Sequence, residues 1–254
     1  MTLVLLHGFL GLPESWNEVV AWLGPGDRVL RPALLGHGPA EWASLGLANT
    51  FDAEVERLAM RLRAERVKGA HLVGYSMGAR VALVLAAEHP ELVARLTMIS
   101  GSAGLDDEDE RRARASADVR LADELRDAGL PSFVRKWEAL PLFATQQRLS
   151  AGARARHRAR RLAHREDFVA RALETLSPGR MPVMTDRLGQ ITAPVSLIAG
   201  SFDTKFTGIA RSIAPLFARA RVRIVDGAGH DPCLERPREL AALISENMAT
   251  ENAP

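Results

Sequence analysis

A serine between two glycines is the first candidate for chemistry in this chain. Residues 74–80 read GYSMGAR, which places Ser76 in the pattern G-x-S-x-G. An apolar run precedes the motif and a helical pattern follows it. In that context the glycines let the neighbouring backbone pass closely and leave the serine hydroxyl exposed at a sharp turn. Ser76 is therefore a candidate nucleophile or proton carrier, and Arg80 close to it indicates a negatively charged partner.

A serine hydroxyl needs a base at neutral pH, and that base needs an orienting acid. His230 ends the segment GAGH, which follows the apolar run RVRIV, and it is the candidate base. Two aspartates could orient it: Asp203, which follows the run PVSLIAG, and Asp226, which lies just before the histidine loop. Asp203 is preferred because an acid after a late strand and a histidine after the last strand is a recurring arrangement, whereas Asp226 more readily ends its strand.

Backbone amides near Ser76 could stabilise a developing negative charge. The segment HGF directly follows the first apolar run, and the amide of Phe9 could join that of Met77 in an oxyanion hole. His7 in the same segment is interpreted as structural, and His37 in LGHG as a residue at the edge of a pocket.

Composition excludes several other classes of function. The chain has 254 residues and a formal net charge of +2, which gives no electrostatic case for nucleic acid. The single cysteine, Cys233, and the lack of an H-x-x-H or H-x-x-x-H pair argue against a metal site, and we expect no cofactor. No stretch approaches the roughly 20 apolar residues of a membrane span, and the N-terminus carries no basic signal region. We expect a cytoplasmic protein, monomeric or a small homo-oligomer, without membrane contact.

Short apolar runs alternate with helical patterns along most of the chain. The strand-like runs are 2–7, 28–31, 70–74, 95–100, 194–199 and 221–225, and the helical patterns between or after them include 52–66, 77–88 and 235–247. This alternation predicts an α/β fold with a mostly parallel, doubly wound sheet.

The alternation breaks between about residues 104 and 187. That segment is helical in pattern, rich in charged residues and without a strand-like run. We therefore expect a core built from residues 1–103 and 188–254, with residues 104–187 inserted as a helical lid. Such a lid would lie over the carboxyl ends of the strands, where open α/β sheets bind ligands. The alternative is a surface insertion without a role at the site.

The motifs HGF, GYSMG, SFD and GAGH follow one another as in the α/β-hydrolase superfamily, which the chain resembles over nearly all its length. GYSMGAR, DEDERRARASAD, WEALPLF, RRLAH and DTKF together resemble the 2-succinyl-6-hydroxy-2,4-cyclohexadiene-1-carboxylate synthase family of menaquinone biosynthesis. The chain departs from that family at Ala79, where a second glycine is usual, and in the loop ALLGHG, which lacks an aspartate and a proline.

The resemblance implies a lyase that eliminates pyruvate from a small substrate with several carboxylates. Ser76, relayed through His230 and Asp203, would remove a proton without forming a covalent intermediate, and the oxyanion amides would stabilise enolate-like charge. The residues implied to bind the substrate are Tyr75, Arg80, Arg114, Trp137 and Arg158. In the Arg-rich stretch 154–165, the inward-facing arginine could instead be Arg156, Arg160 or Arg161.

Two other functions could use the same fold. A serine hydrolase that cleaves an ester or a carbon–carbon bond needs the triad but has no need of Arg80. A ligand receptor without catalytic activity needs only the pocket, and the intact set of Ser76, Asp203 and His230 argues against it.

Overall fold

Six apolar segments pair into one parallel sheet in the part of the chain that the computed structural model describes, residues 1–24, 28–38 and 50–249. The strands are β1 (Thr2–Leu6), β2 (Arg28–Leu30), β3 (Ala70–Tyr75), β4 (Val93–Ile99), β5 (Val195–Gly200) and β6 (Ala220–Val225). Their order in the sheet is β2-β1-β3-β4-β5-β6, and every neighbouring pair is parallel. The doubly wound parallel sheet predicted from the alternating pattern is confirmed.

Helices cover both faces of the sheet. They are α1 (Asn17–Val20), α2 (Phe51–Ala64), α3 (Met77–Glu88), α4 (Glu108–Ala128), α5 (Leu130–Glu138), α6 (Ala151–Arg161), α7 (Glu166–Thr175), α8 (Thr204–Ile213), α9 (Pro232–Glu235) and α10 (Pro237–Ala249). None of the helices in the described ranges combines the length and the apolar character needed to cross a membrane.

Alternation along β1 shows how the two faces are filled. Val4 and Leu6 belong to an apolar cluster with residues of α2 and α3, whereas Leu3 and Leu5 belong to a second cluster with residues of α10. Successive side chains of a strand point to opposite faces, so a strand that is apolar throughout is suited to the centre of a sheet with helices on both sides.

The helical pattern at 235–247 differs from the structure in one respect. The chain forms α9 and α10 with Arg236 between them at φ −144°, outside the helical region. The residue before a proline is kept out of that region by a steric clash with the proline ring. Pro237 therefore begins α10, two residues later than the predicted start, and Glu235 instead ends the short helix α9.

The chain between β4 and β5 is helical and contains α4, α5, α6 and α7, together with a 3-10 segment over Pro141–Arg148. Three of these helices, α4, α5 and α7, share an apolar cluster of their own, which also includes Leu10 from the loop after β1. Leu176, Met181 and Met184, by contrast, pack in the cluster of the sheet. The last part of the predicted lid therefore contributes to the core beneath it.

Candidate active site

Ser76 occupies a strained turn between β3 and α3. Its backbone has φ 51° and ψ −108°, a conformation that residues other than glycine rarely adopt. A Cβ on Gly74 would lie 2.3 Å from the carbonyl oxygen of Gly78, and a Cβ on Gly78 would lie 2.4 Å from that of Leu6. Both positions therefore exclude a side chain, which explains the two glycines of the motif. The amide of Ser76 donates to the carbonyl of Ile99 at 2.8 Å and anchors the turn to β4.

Ser76, His230 and Asp203 form a chain of hydrogen bonds. The Ser76 hydroxyl donates to Nε2 of His230 at 3.1 Å, and Nδ1 of His230 donates to Oδ2 of Asp203 at 2.7 Å. The other carboxylate oxygen of Asp203 accepts from the amide of Phe206 at 3.1 Å, so the start of α8 fixes the acid. Because Nδ1 carries a proton toward Asp203, Nε2 is available to take the proton of Ser76.

Asp226, the other candidate acid, lies away from His230. It is exposed and accepts a hydrogen bond from the hydroxyl of Ser201 at 3.3 Å. The histidine is almost completely buried, and its orientation is further limited by aromatic side chains. Ring centroids at 4.5, 5.6 and 5.9 Å surround the imidazole, those of Phe206, Tyr75 and Phe143 respectively.

Phe9 and Met77, the residues predicted to supply the oxyanion amides, both border the cavity in front of Ser76. Met77 is the first residue of α3, and the amides of a first helical turn have no partner within their helix. The carbonyl of Gly8 accepts from the amide of Gly11 at 3.0 Å, which directs the Phe9 N–H to the opposite side of the same planar peptide. The two amides therefore remain the candidate donors of the predicted oxyanion hole.

A cavity of about 280 Å³ lies between the carboxyl ends of the strands and the lid. Apolar side chains form much of its wall, among them Leu10, Trp137, Phe143, Leu173 and Ile209. Five basic side chains also border it, namely Arg80, Arg114, Arg160, Arg161 and Lys205, against two carboxylates, Asp118 and Asp231. The excess of cations suits the cavity to an anionic ligand.

Arg80 is a part-buried cation one helical turn after Ser76. Its Nη2 donates to the carbonyl of Leu176 at 3.1 Å, while its Nε is buried without a hydrogen-bond partner among the described residues. Burial, with a smaller contribution from the nearby Arg114, lowers the pKa of Arg80 to about 10, so the side chain remains charged at neutral pH. A buried N–H without an acceptor is costly, and a carboxylate in the cavity could supply the missing partner of Nε.

Arg114 and Tyr75 border the same cavity from the lid and from the sheet. Nε of Arg114 donates to Oδ2 of Asp118 at 2.9 Å, one turn further along α4. Burial raises the pKa of Tyr75 well above 10, so its phenol stays protonated and can donate a hydrogen bond. The two side chains can therefore bind anionic or acceptor groups of a ligand.

Trp137 forms part of the apolar wall and also belongs to the interior of the lid. Its ring stacks on that of Phe133, with centroids 5.8 Å apart and planes inclined by 18°. The same ring meets the edge of Phe9 at 4.9 Å. Trp137 therefore joins the lid to the loop that contains Phe9.

Arg158 does not border the cavity. Its side chain is about half exposed, and its Nε donates to Oε2 of Glu138 at 2.7 Å. Arg161 is the buried arginine of α6: it borders the cavity, and its guanidinium carbon lies 5.3 Å from the ring centroid of Phe143. Its Nη1 is 3.2 Å from Oε1 of Glu138, without the geometry of a hydrogen bond. Arg160, which is part-buried, also borders the cavity, whereas Arg156 and Arg158 do not; Arg161 is the most deeply buried of the four.

Comparison with known proteins identifies the group to which this chain belongs. A profile of the alpha/beta hydrolase family matches residues 3–243. A Bacillus subtilis (strain 168) protein, provisionally named 2-succinyl-6-hydroxy-2,4-cyclohexadiene-1-carboxylate synthase, is 36% identical over 250 residues, covering 97% of this chain and 90% of that protein. The synthase of the same name from Enterobacter sp. (strain 638) is 31% identical over 244 residues, 96% of this chain and 90% of the relative. The chain belongs to this synthase family.

The solved structure of MenH from S. aureus agrees with that placement. The two structures superpose with a TM-score of 0.94 at 31% sequence identity, and the superposition covers 100% of this chain and 95% of the MenH chain. The α/β-hydrolase fold with an inserted helical segment is therefore shared along the whole length.

The structure shows what surrounds the two segments in which the chain departs from the pattern of the synthase family. Ala79 is fully buried, and a Cβ on Gly101 would lie 2.6 Å from the Cβ of Ala79, so the glycine makes room for the alanine. The loop ALLGHG is held by Glu54 of α2, whose Oε1 accepts from the amide of Leu35 at 2.8 Å. Glu54 is itself buried and paired with Arg57 at 2.6 Å.

Two buried carboxylates of the cavity were not singled out from the sequence. Asp231 directly follows His230, and burial together with the nearby Glu235 raises its pKa to about 6. Asp118 lies four residues after Arg114 in a helical pattern. That spacing brings two side chains together on one helix face, and it could have revealed the pair.

Proposed function

We propose that this protein is a lyase that eliminates pyruvate from 2-succinyl-5-enolpyruvyl-6-hydroxy-3-cyclohexene-1-carboxylate and forms 2-succinyl-6-hydroxy-2,4-cyclohexadiene-1-carboxylate in menaquinone biosynthesis. The observation that carries the proposal concerns Arg80, whose Nε is buried without a hydrogen-bond partner among the described residues, one turn from Ser76 in the same cavity. The substrate carries several carboxylates, which fits the cation-rich wall. The two relatives that have the name of this synthase match the chain over 90% of their own length, and this also supports the proposal.

In the proposed reaction the triad removes a proton and forms no covalent bond. His230 takes the hydroxyl proton of Ser76, and Ser76 Oγ then removes a proton from the ring beside the succinyl carbonyl. The charge that develops on the carbonyl oxygen is stabilised by the amides of Phe9 and Met77. As the enolate collapses, the carbon–oxygen bond to the enolpyruvyl group breaks, and the leaving group takes up a proton to become pyruvate. General-base catalysis of this kind contributes about 10²–10⁴-fold.

The cations of the cavity would bind the carboxylates of the substrate. Arg80 holds the one nearest the reacting carbon, while Arg114 and Arg161 bind the others from the lid. Tyr75 donates a hydrogen bond beside Ser76, and Trp137 packs against the apolar part of the ring. A fixed orientation of this kind brings the reacting proton within reach of the serine oxygen.

Pyruvate release is the direct test of this function. The substrate is generated enzymatically, purified protein is added, and pyruvate is followed through the oxidation of NADH by lactate dehydrogenase. We expect one pyruvate for each cyclohexadiene formed. A protein that released no pyruvate but hydrolysed simple esters rapidly would contradict the proposal.

Replacing Arg161 by alanine is expected to raise KM for pyruvate release by about 10-fold to 100-fold, because a hydrogen bond between charged groups contributes about 1.5–3 kcal/mol. Arg158→Ala is the matched control on the same helix, and its kcat/KM should stay within about twofold of the wild-type value because its side chain is exposed and paired with Glu138. Both variants are compared in the coupled assay after thermal unfolding has shown that they fold. A larger loss from Arg158→Ala would reverse the assignment.

Ester hydrolysis is the second candidate function, and one observation favours it. The strained turn and the complete hydrogen-bonded triad at Ser76 are also what a nucleophilic serine requires. A hydrolase would form an acyl-enzyme, which mass spectrometry of the protein quenched during turnover of 4-nitrophenyl acetate would detect. The lyase substrate should leave no adduct on Ser76.

A further inference from the structure

Two loops at the edge of the cavity are joined by a pair of histidines. The first loop, residues 7–11, follows β1 and contains Phe9, and the second loop, residues 33–38, follows β2. His7 in the first loop lies with its Nδ1 2.8 Å from the carbonyl oxygen of Gly8, and its Nε2 accepts from the amide of Leu34 in the second loop at 3.1 Å.

His37 makes the same two contacts in the opposite direction. Its Nδ1 lies 2.8 Å from the carbonyl oxygen of Leu35 in its own loop, and its Nε2 accepts from the amide of Leu10 in the first loop at 3.0 Å. The centroids of the two imidazole rings are 5.0 Å apart. Each histidine therefore binds a carbonyl of its own loop and an amide of the other.

This exchange requires both imidazoles to be neutral. An Nδ1 that faces a carbonyl must carry the hydrogen, which leaves Nε2 as the acceptor for a backbone N–H. Both side chains are buried, and burial lowers the pKa of His7 to about 4 and that of His37 well below its usual range. At neutral pH both rings therefore have the tautomer that the geometry needs.

The contacts fix the peptide groups on both sides of Phe9. The carbonyl of Gly8 accepts from His7 and from the amide of Gly11. Because the Gly8 carbonyl and the Phe9 N–H belong to the same planar peptide group, these contacts also fix the direction of the Phe9 N–H. His37 holds the next amide, that of Leu10, whose φ of 58° lies in the left-handed region that leucine rarely adopts. A strained residue persists only where its surroundings hold it in place.

The second loop also supports the lid. The amide of Gly38 donates to Nδ1 of His164 at 3.5 Å, and the His164 ring lies 5.1 Å from that of His37. A Cβ on Gly36 would lie 2.1 Å from the carbonyl oxygen of Phe168 in α7. The loop that holds Leu10 is therefore itself held between the first loop and the lid.

We infer that His7 and His37 are reciprocal positioning residues that hold the Phe9 amide in the geometry of the oxyanion hole. The inference rests on the part of the proposed function that gives this amide the developing negative charge. It does not depend on which substrate bears that charge, and this allows the two proposals to be tested separately.

The test compares two amide side chains of different reach at position 37. The carboxamide oxygen of glutamine can reach the place of Nε2 and accept from Leu10, whereas asparagine is one methylene too short. The readout is the rate at which diethyl 4-nitrophenyl phosphate modifies Ser76, because its phosphoryl oxygen occupies the oxyanion hole whatever the natural substrate is. We expect His37→Asn to slow this reaction by about 10-fold to 100-fold and His37→Gln by less than about fivefold.

His71 supplies the matched control. It is equally buried, and its Nε2 lies 2.8 Å from the hydroxyl of Thr97 between β3 and β4, but it does not border the cavity. His71→Asn should lower the melting temperature and leave the modification rate of Ser76 unchanged. A similar loss of rate in His71→Asn, or an unchanged rate in His37→Asn, would overturn the inference. If His37→Asn does not fold, His37→Met, of similar length but without an oxygen or nitrogen acceptor, replaces it and is expected to be slow.

Pyruvate release then separates this inference from the proposed function. For His37→Asn we expect kcat to fall while KM stays within about twofold, because the oxyanion contact strengthens only as the reaction proceeds. A wild-type protein that reacts with the phosphate ester but releases no pyruvate contradicts the lyase and leaves the result at position 37 valid. A wild-type lyase whose His37→Asn variant keeps its kcat contradicts the positioning role alone.

Discussion

Ser76→Ala is expected to lower kcat/KM for pyruvate release by about 10³-fold or more. The proposed reaction begins when Ser76 Oγ removes a proton. In the alanine variant Nε2 of His230 would have to remove that proton itself, from a position about one hydrogen-bond length, 3.1 Å, behind that of the serine oxygen. General-base contributions of about 10²–10⁴-fold set the size of the effect. The coupled pyruvate assay measures it, with binding of the substrate followed separately by calorimetry. The dissociation constant should change little, because the arginines remain.

Combining Ser76→Ala with His230→Ala provides an internal check. The two side chains act as one unit, so the double variant should be no slower than the slower single variant. Ser76→Ala should unfold at a temperature close to that of the wild type, since alanine keeps the same backbone strain as serine. Both variants with His230→Ala should unfold at a lower temperature because they lose a buried ring bonded to Asp203, so rates are compared well below that temperature. Losses that multiply in the double variant would contradict a shared proton path from Ser76 to His230.

Ser76→Cys distinguishes a base from a nucleophile at this position. A thiolate is a strong nucleophile but a weaker base than an alkoxide, so the variant should lose pyruvate release and still be acylated by 4-nitrophenyl acetate. A cysteine variant that kept both activities would indicate that proton removal does not depend on the serine oxygen.

The strands and the three residues of the triad could be predicted because their signals are local. Each strand is a short apolar run between turn residues, and Ser76, Asp203 and His230 each follow such a run at the carboxyl edge of the sheet. In a parallel sheet those edges coincide, so the order of the motifs already brings their side chains together. Contacts that follow from the sheet were therefore accessible from sequence.

The arginines of the lid could not be ranked in the same way. Arginines occupy several faces of α6, and helical spacing alone does not say which face is turned inward. The choice of Arg161 over Arg158 depends on where Phe143 and Glu138 pack, which involves segments far apart in sequence. The histidine exchange across 27 residues and the contribution of Leu176 to the core were inaccessible for the same reason.

Arg80→Met is expected to lower kcat/KM for pyruvate release by about 100-fold and to raise the melting temperature. The first effect follows from the loss of a charge-assisted pair with a substrate carboxylate, since 100-fold corresponds to about 2.7 kcal/mol. The second follows because the Nε of this part-buried cation is buried without a hydrogen-bond partner among the described residues and Arg114 lies nearby, and methionine of similar length removes both penalties. Loss of the hydrogen bond to Leu176 opposes the gain but is smaller.

Two comparisons make the Arg80 result decisive. Hydrolysis of a neutral ester by Ser76 should be unchanged in Arg80→Met, because such a substrate has no carboxylate for Arg80 to hold. Arg158→Met, the same replacement at an exposed and paired arginine, should alter neither pyruvate release nor the melting temperature. If Arg80→Met lost stability and activity together, and neutral-ester hydrolysis fell in parallel, Arg80 would be a structural residue of α3. A gain in stability with a loss confined to the carboxylate substrate is the outcome expected of a binding residue whose buried N–H has no acceptor until the ligand binds.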